Sequence, residues 1–378
     1  MRIGIDARLY GLEHAGLGRY VLKLVETVLK ADTKNKYVLF LTKNHAEEFK
    51  NRQRVKVVVC NIPIYSLAEQ LLLPWIFQRE KLDLLHIPHF NAPLLYLGRY
   101  VLTIHDLIKH DSTGMATTTR QPLLYLIKRL GYLFLTSLIA KRAQAILVPS
   151  NFVKDDVAKR LKVSRDKITV TYEAVSGSLR PKSLSAADKK TLLARFGLTQ
   201  PFIVYTGSLY PHKNVDLLIE AVARHNRLRE VDLELVLICS RSVFWKRTNQ
   251  KIIIQKLDRW VKMLGFVEDE DVSKLYSLAL ALVHPSRMEG FGLTGLEAMA
   301  VGLPVIASNT SCLPEVYSEA AMFFNPDSLS ELVGCLDRII ADSHLREELI
   351  TNGFRQAKKY SWEKMARKTI AVYQQAQK

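Results

Sequence analysis

Short apolar runs separated by longer amphipathic stretches recur along the first half of the chain. The runs Arg2–Ala7, Tyr37–Thr42, Val55–Cys60, Leu84–His89, Tyr100–His105, Ala145–Ser150 and Ile168–Glu173 are rich in Val, Ile and Leu. Several lack polar alternation, which predicts strands buried on both faces. Stretches of helical period lie between many of them, as at Tyr20–Lys30 and Phe152–Leu161, so a doubly wound parallel sheet is predicted. The pattern pauses over Ser176–Gln200, a polar stretch with Pro181, Gly197 and one helical piece at Ala186–Phe196. It reads as an interdomain connection. A second set follows, with strands at Phe202–Gly207, Glu234–Cys239, Leu280–Pro285 and Val305–Ser308 and a last helix at Trp362–Gln377. The expected fold class is therefore α/β. Two Rossmann-like domains, 1–180 and 181–360, would face a cleft with ligand at the C-terminal strand ends. Residues 361–378 would pack back on the first domain.

Composition narrows this picture. The 378 residues are 48% hydrophobic and 24% charged, too apolar for a disordered chain and long enough for two domains. Cys60, Cys239, Cys312 and Cys335 are widely spaced with no C-x-x-C pair, which argues against a disulfide scaffold and for a reducing compartment. Asp6 interrupts the start where a secretory signal would be apolar, and no run of 18 apolar residues occurs. A cytoplasmic protein is expected. The net charge of +17 is uneven: residues 1–185 carry 29 Lys and Arg against 15 Asp and Glu, and the remainder only +3. A cationic half attracts anionic lipid, nucleic acid or phosphorylated substrates, and equally serves as a solvated surface.

Candidate chemistry concentrates in Val283-His-Pro-Ser-Arg-Met-Glu289-Gly-Phe-Gly292-Leu-Thr294-Gly-Leu-Glu297-Ala-Met-Ala300. A buried strand runs into a glycine-bearing loop and then a helix start, whose N–H groups and dipole suit a phosphate. Gly290 and Gly292 allow close backbone approach. Glu289 and Glu297 can each accept two hydroxyl hydrogen bonds, as a sugar or ribose diol requires. Thr294-x-x-Glu297 also spells a capping box, in which the Glu only satisfies helix N–H groups.

This stretch resembles the E-x7-E signature of retaining glycosyltransferases of the GT-B fold, family four. The likeness continues in Gly302–Val316 and covers nearly the whole chain. It includes Gly4-Ile-Asp-Ala-Arg8, Gly16-Leu-Gly18-Arg19-Tyr20, Thr103-Ile-His105-Asp106-Leu107, Ser150-Asn-Phe, Tyr205-Thr-Gly207 with Pro211-His-Lys213-Asn214, and Tyr360-Ser-Trp362. The bacterial O-antigen and capsule mannosyltransferases are the nearest subgroup in pattern. The resemblance implies a nucleotide-diphosphate sugar donor, GDP-mannose or a UDP-sugar, and a saccharide or lipid-linked saccharide acceptor. No further cofactor is implied.

The resemblance also assigns roles. Glu289 would hold donor-sugar hydroxyls and Glu297 the ribose, within the loop Gly290, Phe291, Gly292 and Leu293. Gly16 and Gly18 would offer backbone N–H groups to the diphosphate. They do not form a dinucleotide fingerprint, because Val21 stands at the third glycine position and Lys43 where a ribose-binding acid belongs. Lys213, otherwise a solvated lysine, would meet the diphosphate as a point cation. Asn214 behind it is a candidate helix cap. The family's arginine five positions before that lysine is Ser208 here, leaving His212, Arg241 or Arg287 to complete the clamp. His105, otherwise a core histidine, would hold a sugar hydroxyl beside the reacting centre.

No metal site is expected. Asp269-Glu270-Asp271 reads D-x-D, but its place at a helix start makes it dipole and capping chemistry. No nucleic-acid signature accompanies the scattered basic residues. Pro122–Ala140 is apolar but carries Lys128 and Arg129, with Lys141-Arg142 following. It fits either a core helix or an interfacial helix on an anionic inner membrane face. A glycogen-synthase-like glucosyltransferase and a non-catalytic basic relative are the alternatives.

Overall fold

A computed structural model describes residues 1–111, 122–175, 181–199, 201–229, 231–239 and 241–377. The chain divides into two compact units, Met1–Glu173 with Ser361–Lys378, and Ala174–Tyr360. The first unit carries seven strands: β1 (Arg2–Asp6), β2 (Lys36–Leu41), β3 (Val55–Val59), β4 (Leu84–Ile87), β5 (Tyr100–Thr103), β6 (Ala145–Val148) and β7 (Ile168–Val170). They form one parallel sheet ordered β3-β2-β1-β4-β5-β6-β7. The second unit carries β8 (Phe202–Thr206), β9 (Glu234–Ile238), β10 (Val261–Gly265), β11 (Leu282–His284), β12 (Val305–Ser308) and β13 (Ala321–Phe324). Its sheet is also parallel and is ordered β10-β9-β8-β11-β12-β13. Two doubly wound α/β units are the fold class read from the pattern.

Central strands such as β4, β5 and β9 are buried along their whole length, which is why their sequences run apolar without alternation. Several strands end sooner than their apolar runs. β5 stops at Thr103 and β4 at Ile87, so His105 and His89 stand on the turns beyond. The sequence pattern passed over β10 and β13. Both are short edge strands, and β10 buries only its two ends. The units divide after Glu173, seven residues before the expected boundary at 180. Residues 176–180 and 200 of the expected connection lie outside the described residues, while helix Ala186–Phe196 is present.

Helix Trp362–Gln375 belongs to the first unit, where it packs on helix Ala15–Ala31. Ser361 caps it, its side chain accepting from Lys364 N–H at 3.2 Å. One face buries Trp362, Met365, Ala366, Val372 and Tyr373, at roughly 1.5–3 kcal/mol for each large apolar side chain. Tyr373 Oη lies 2.6 Å from Nδ1 of the buried His86. The helix Pro122–Arg142 is present as expected. The side chains of residues 122–130, including Lys128 and Arg129, lie outside the described residues. Beyond them Leu133 is half-buried, Phe134 exposed, and Ile139 and Ala140 buried. Among the described residues no helix is long and apolar enough to cross a membrane.

Candidate functional site

Strand order reverses once in each sheet, between β1 and β4 and between β8 and β11. Parallel sheets take ligands beyond the carboxyl ends of the strands at such a point. In the second unit, β8 leads toward Ser208 and Lys213 while β11 leads through His284 to Glu289. Glu289 Oε1 accepts from Lys213 Nζ at 2.6 Å and from His284 Nε2 at 2.8 Å, and its own N–H donates to Ser311 Oγ at 3.2 Å. The side chain is buried. Burial opposes its charge, but Lys213 and His284 outweigh that and hold the carboxyl well below its usual range.

A hydrogen-bond inventory fixes the next shell. Tyr317 Oη donates its single proton to Gly292 O at 2.6 Å and accepts from Gly295 N–H at 3.2 Å. His284 Nδ1 lies 2.7 Å from the same oxygen. Lys213 and His284 together thus hold one buried carboxylate.

Helix Leu293–Ala300 begins directly after this loop. Its N-cap is Gly292, at φ +88°, where a Cβ would stand 2.6 Å from Tyr317 Oη. Only glycine fits there. The capping-box reading of Thr294 and Glu297 is thereby corrected: Thr294 is the second residue of the helix, and no side chain caps it. Glu297 is half-buried in the second turn. Gly290 and Leu293 are also half-buried, whereas the Phe291 ring is buried and packs edge-on against Tyr360 at 5.4 Å. Phe291 can offer a ligand only its backbone.

Lys213 closes a short 3-10 turn, Pro211–Lys213, and Asn214 follows at φ +56°. Asn214 occupies the cap position but its side chain does not cap; Nδ2 donates to Pro326 O at 2.9 Å instead. Ser208 is half-buried, and its carbonyl accepts from Tyr205 Oη. Of the three cations considered for the missing arginine, Arg287 lies beside the lysine turn: its N–H donates to His212 O at 2.8 Å. Its guanidinium pairs with Asp327. Arg241 stands over Trp245, and the His212 ring stacks on Tyr210. The D-x-D acids open helix Asp269–Tyr276, where Asp271 accepts from Arg195 at 2.7 Å and Lys274 at 3.3 Å.

In the first unit, His105 Nδ1 lies 3.0 Å from Glu173 Oε1 and Nε2 donates to Pro88 O at 3.3 Å. Tyr20 meets its ring edge-on at 4.4 Å. Gly16 and Gly18 lie in the first turn of helix Ala15–Ala31. A Cβ at Gly16 would meet nothing within 4 Å, whereas one at Gly18 would stand 1.9 Å from Gly11 O. Gly16 leaves its backbone accessible; Gly18 is required by packing. The sequence reading gave no role to Glu173, His284 or Tyr317. Glu173 and Tyr317 join partners 68 and 33 positions away, which no local spacing reveals, whereas His284 stands in the quoted stretch five residues before Glu289, a spacing that could have marked it.

Comparison with known proteins bears on the whole chain. Residues 15–176 match the model of Glycosyltransferase Family 4, and residues 189–356 that of Glycosyl transferases group 1. The chain is 29% identical to the O-antigen chain mannosyltransferase B of Escherichia coli, over 95% of each protein. It is 28% identical to the O-antigen chain mannosyltransferase RfbU of Salmonella typhimurium, over 77% of this chain and 73% of the relative. The fold is similar to that of sucrose-phosphate synthase from Thermosynechococcus elongatus, with a TM-score of 0.77 at 20% identity over 99% of this chain and 98% of the other. It is likewise similar to Anabaena Alr3699/HepE, solved with UDP and glucose, with a TM-score of 0.73 at 19% identity over 99% of each.

Proposed function

The chain belongs to the group 1 and family 4 glycosyltransferases of the GT-B fold, and on that premise we propose that it transfers mannose from a nucleotide diphosphate with retention of anomeric configuration. The observation that carries this reading is the Lys213–Glu289–His284 cluster beside the Gly292 helix start. Lys213 and the N–H groups at Leu293 stabilise charge developing on the departing diphosphate. Arg287 completes the clamp in place of the arginine that Ser208 replaces. Glu289, fixed as an anion, accepts donor-sugar hydroxyls, and Glu297 accepts the ribose diol. Gly16 offers a backbone N–H to the diphosphate, and His105 takes a further sugar hydroxyl. The acceptor hydroxyl attacks on the face the nucleotide leaves. Mannose is favoured by the names of the relatives, and a cell-surface saccharide is the acceptor class they suggest. Charge is neutralised by side chains and backbone, with no resident metal in the reading. Incubation with GDP-mannose and a panel of UDP-sugars, followed by NMR of the product's anomeric carbon, tests it. GDP-mannose turnover with retained configuration is expected; an inverted product defeats the mechanism.

The same reading places the first unit on an anionic membrane face. Its support is the +14 balance of residues 1–185 and one face of helix Leu67–Arg79. Leu67, Leu71, Leu72 and Trp75 are exposed together there, with Arg79 4.8 Å from the Trp75 ring centroid. An interfacial helix combines such an apolar face with nearby cations. Binding to anionic vesicles should fall with salt, and Trp75→Ser should weaken it. Equal binding to neutral vesicles would count against the proposal.

A further inference from the structure

His105 stands just beyond β5, on a turn whose backbone is pinned on both sides. Ile104 N–H before it donates to Leu147 O at 2.9 Å, and Ile108 N–H after it donates to Asp106 Oδ1 at 3.0 Å. A fixed backbone still leaves the ring two ways to lie, related by a half-turn about χ2. That half-turn exchanges Nδ1 with Cδ2 and Nε2 with Cε1, so it decides whether nitrogen or carbon meets a ligand. Three neighbours bear on the choice. Tyr20 packs edge-on with ring centroids 4.4 Å apart, its own hydroxyl 3.1 Å from Thr103 Oγ1, which in turn lies 2.8 Å from Nε2 of the buried His86. Pro88 O lies 3.3 Å from His105 Nε2. A ring contact does not tell nitrogen from carbon, and 3.3 Å is a long hydrogen bond. Glu173 is the neighbour that discriminates.

Glu173 reaches His105 from the edge of the sheet. β7 ends at Val170, Thr171 N–H still pairs with Val148 O at 2.8 Å, and Glu173 follows two residues later. It therefore stands at the carboxyl end of a strand two places from β5. Its Oε1 lies 3.0 Å from His105 Nδ1. Glu173 is buried at 5% exposure, whereas the His105 side chain is 21% exposed. The support is thus enclosed and the supported ring is open to a ligand. A carboxylate has no proton to give, so Nδ1–H donates to it. After a half-turn of the ring, Cδ2 would face Glu173 and the buried carboxylate would lose this partner, which burial penalises. Nε2 is thereby kept on the opposite side of the ring, where its long contact with Pro88 O is the one that a ligand hydroxyl can displace.

We propose that Glu173 is a positioning residue of the transfer reaction: by accepting from Nδ1–H it orients His105 so that Nε2, rather than carbon, meets the sugar hydroxyl. The inference rests on the sugar-binding role proposed for His105 and goes beyond it in assigning what aims the ring. The test sets Glu173→Gln, which keeps an acceptor oxygen of the same reach, against Glu173→Leu, which removes it. With GDP-mannose and the UDP-sugars as donors, Glu173→Leu should lower kcat roughly 10- to 100-fold, the scale of a misplaced reacting contact, while GDP and UDP affinity holds. Glu173→Gln should restore most of the rate. In a His105→Ala background, Glu173→Leu should cost nothing further. Nitrogen-15 NMR of the histidine rings, well above the ordinary imidazole pKa of about 6.5, reads the contact without turnover. Nδ1 of His105 should carry the proton in wild type and Glu173→Gln, and lose it to Nε2 in Glu173→Leu. Glu173→Met serves if leucine disturbs the packing. Full activity in Glu173→Leu, a loss that adds in full to that of His105→Ala, nucleotide affinity falling in step with kcat, or an unmoved Nδ1 proton would overturn the proposal. A wild type inert toward every donor would fault the proposed function itself, and the Nδ1 proton would still decide whether Glu173 orients the ring.

Discussion

The two units place different charge clusters at the same topological address. In the second, one carboxylate, Glu289, is held by Lys213 and His284. In the first, one cation, Arg8, is held by two carboxylates, Asp6 and Glu69. Both clusters lie at the carboxyl ends of strands at a reversal of strand order, and all their members but the half-buried Lys213 are buried. The same topology therefore carries different charge in the two units, and the proposed diphosphate site is the one with a lysine beside a helix start.

The largest expected effect breaks the first unit's cluster. Arg8→Met leaves Asp6 and Glu69 buried without their cation, at a cost of about 3–5 kcal/mol. Thermal unfolding should show the first unit destabilised, while GDP and UDP affinity of the folded protein holds. Removing the opposite cation has the opposite signature. Lys213→Met should lower turnover of the donor roughly 100-fold by steady-state kinetics, as loss of one preorganised donor does. It should also alter acid stability. The Glu289 carboxyl lies below its ordinary value of 4.5, so it contributes stability above that pH and loses it as pH falls further. Without Lys213 the carboxyl is less depressed, so this acid-dependent loss should be smaller and finish at higher pH, and acid-melting curves check this.

A smaller change is expected from Glu297→Gln. With Gly292 as N-cap, Glu297 lies past the third helical position that a capping box uses, so melting temperature should stay near wild type while nucleotide affinity falls roughly ten-fold, about 1.4 kcal/mol. Unchanged affinity would remove Glu297 from the site. The smallest effect is the most diagnostic of how charge is neutralised. Under the proposed clamp of Lys213 and backbone N–H groups, treatment with EDTA should leave donor turnover unchanged, and a loss restored by magnesium would assign the work to a metal.

Legibility in the sequence followed the same division. The glycine loop, Lys213 and Glu289 were readable because a strand, a turn and a helix present them within local motifs. The central strands were readable because burial on both faces leaves them apolar. What stayed hidden was long-range or conformational. His284 looked like the end of a strand until Tyr317 and Glu289 closed on it, and the Thr294–Glu297 capping box failed because Gly292 starts the helix two residues sooner. Arg8 was quoted only as part of a motif, since its partner Glu69 is 61 residues away. Pro122–Ala140 was read as either a core or an interfacial helix, and the exposed apolar face of helix Leu67–Arg79 went unread because its apolar residues show no helical period.

The assignment of the nucleotide to the second unit is tested most directly by titrating GDP and UDP into wild type, Lys213→Met and Arg8→Met side by side. One nucleotide should bind the wild type, lose roughly 10–150-fold in affinity with Lys213→Met, and bind folded Arg8→Met as it binds wild type. Equal affinity for wild type and Lys213→Met, or a matching loss in folded Arg8→Met, would contradict that assignment.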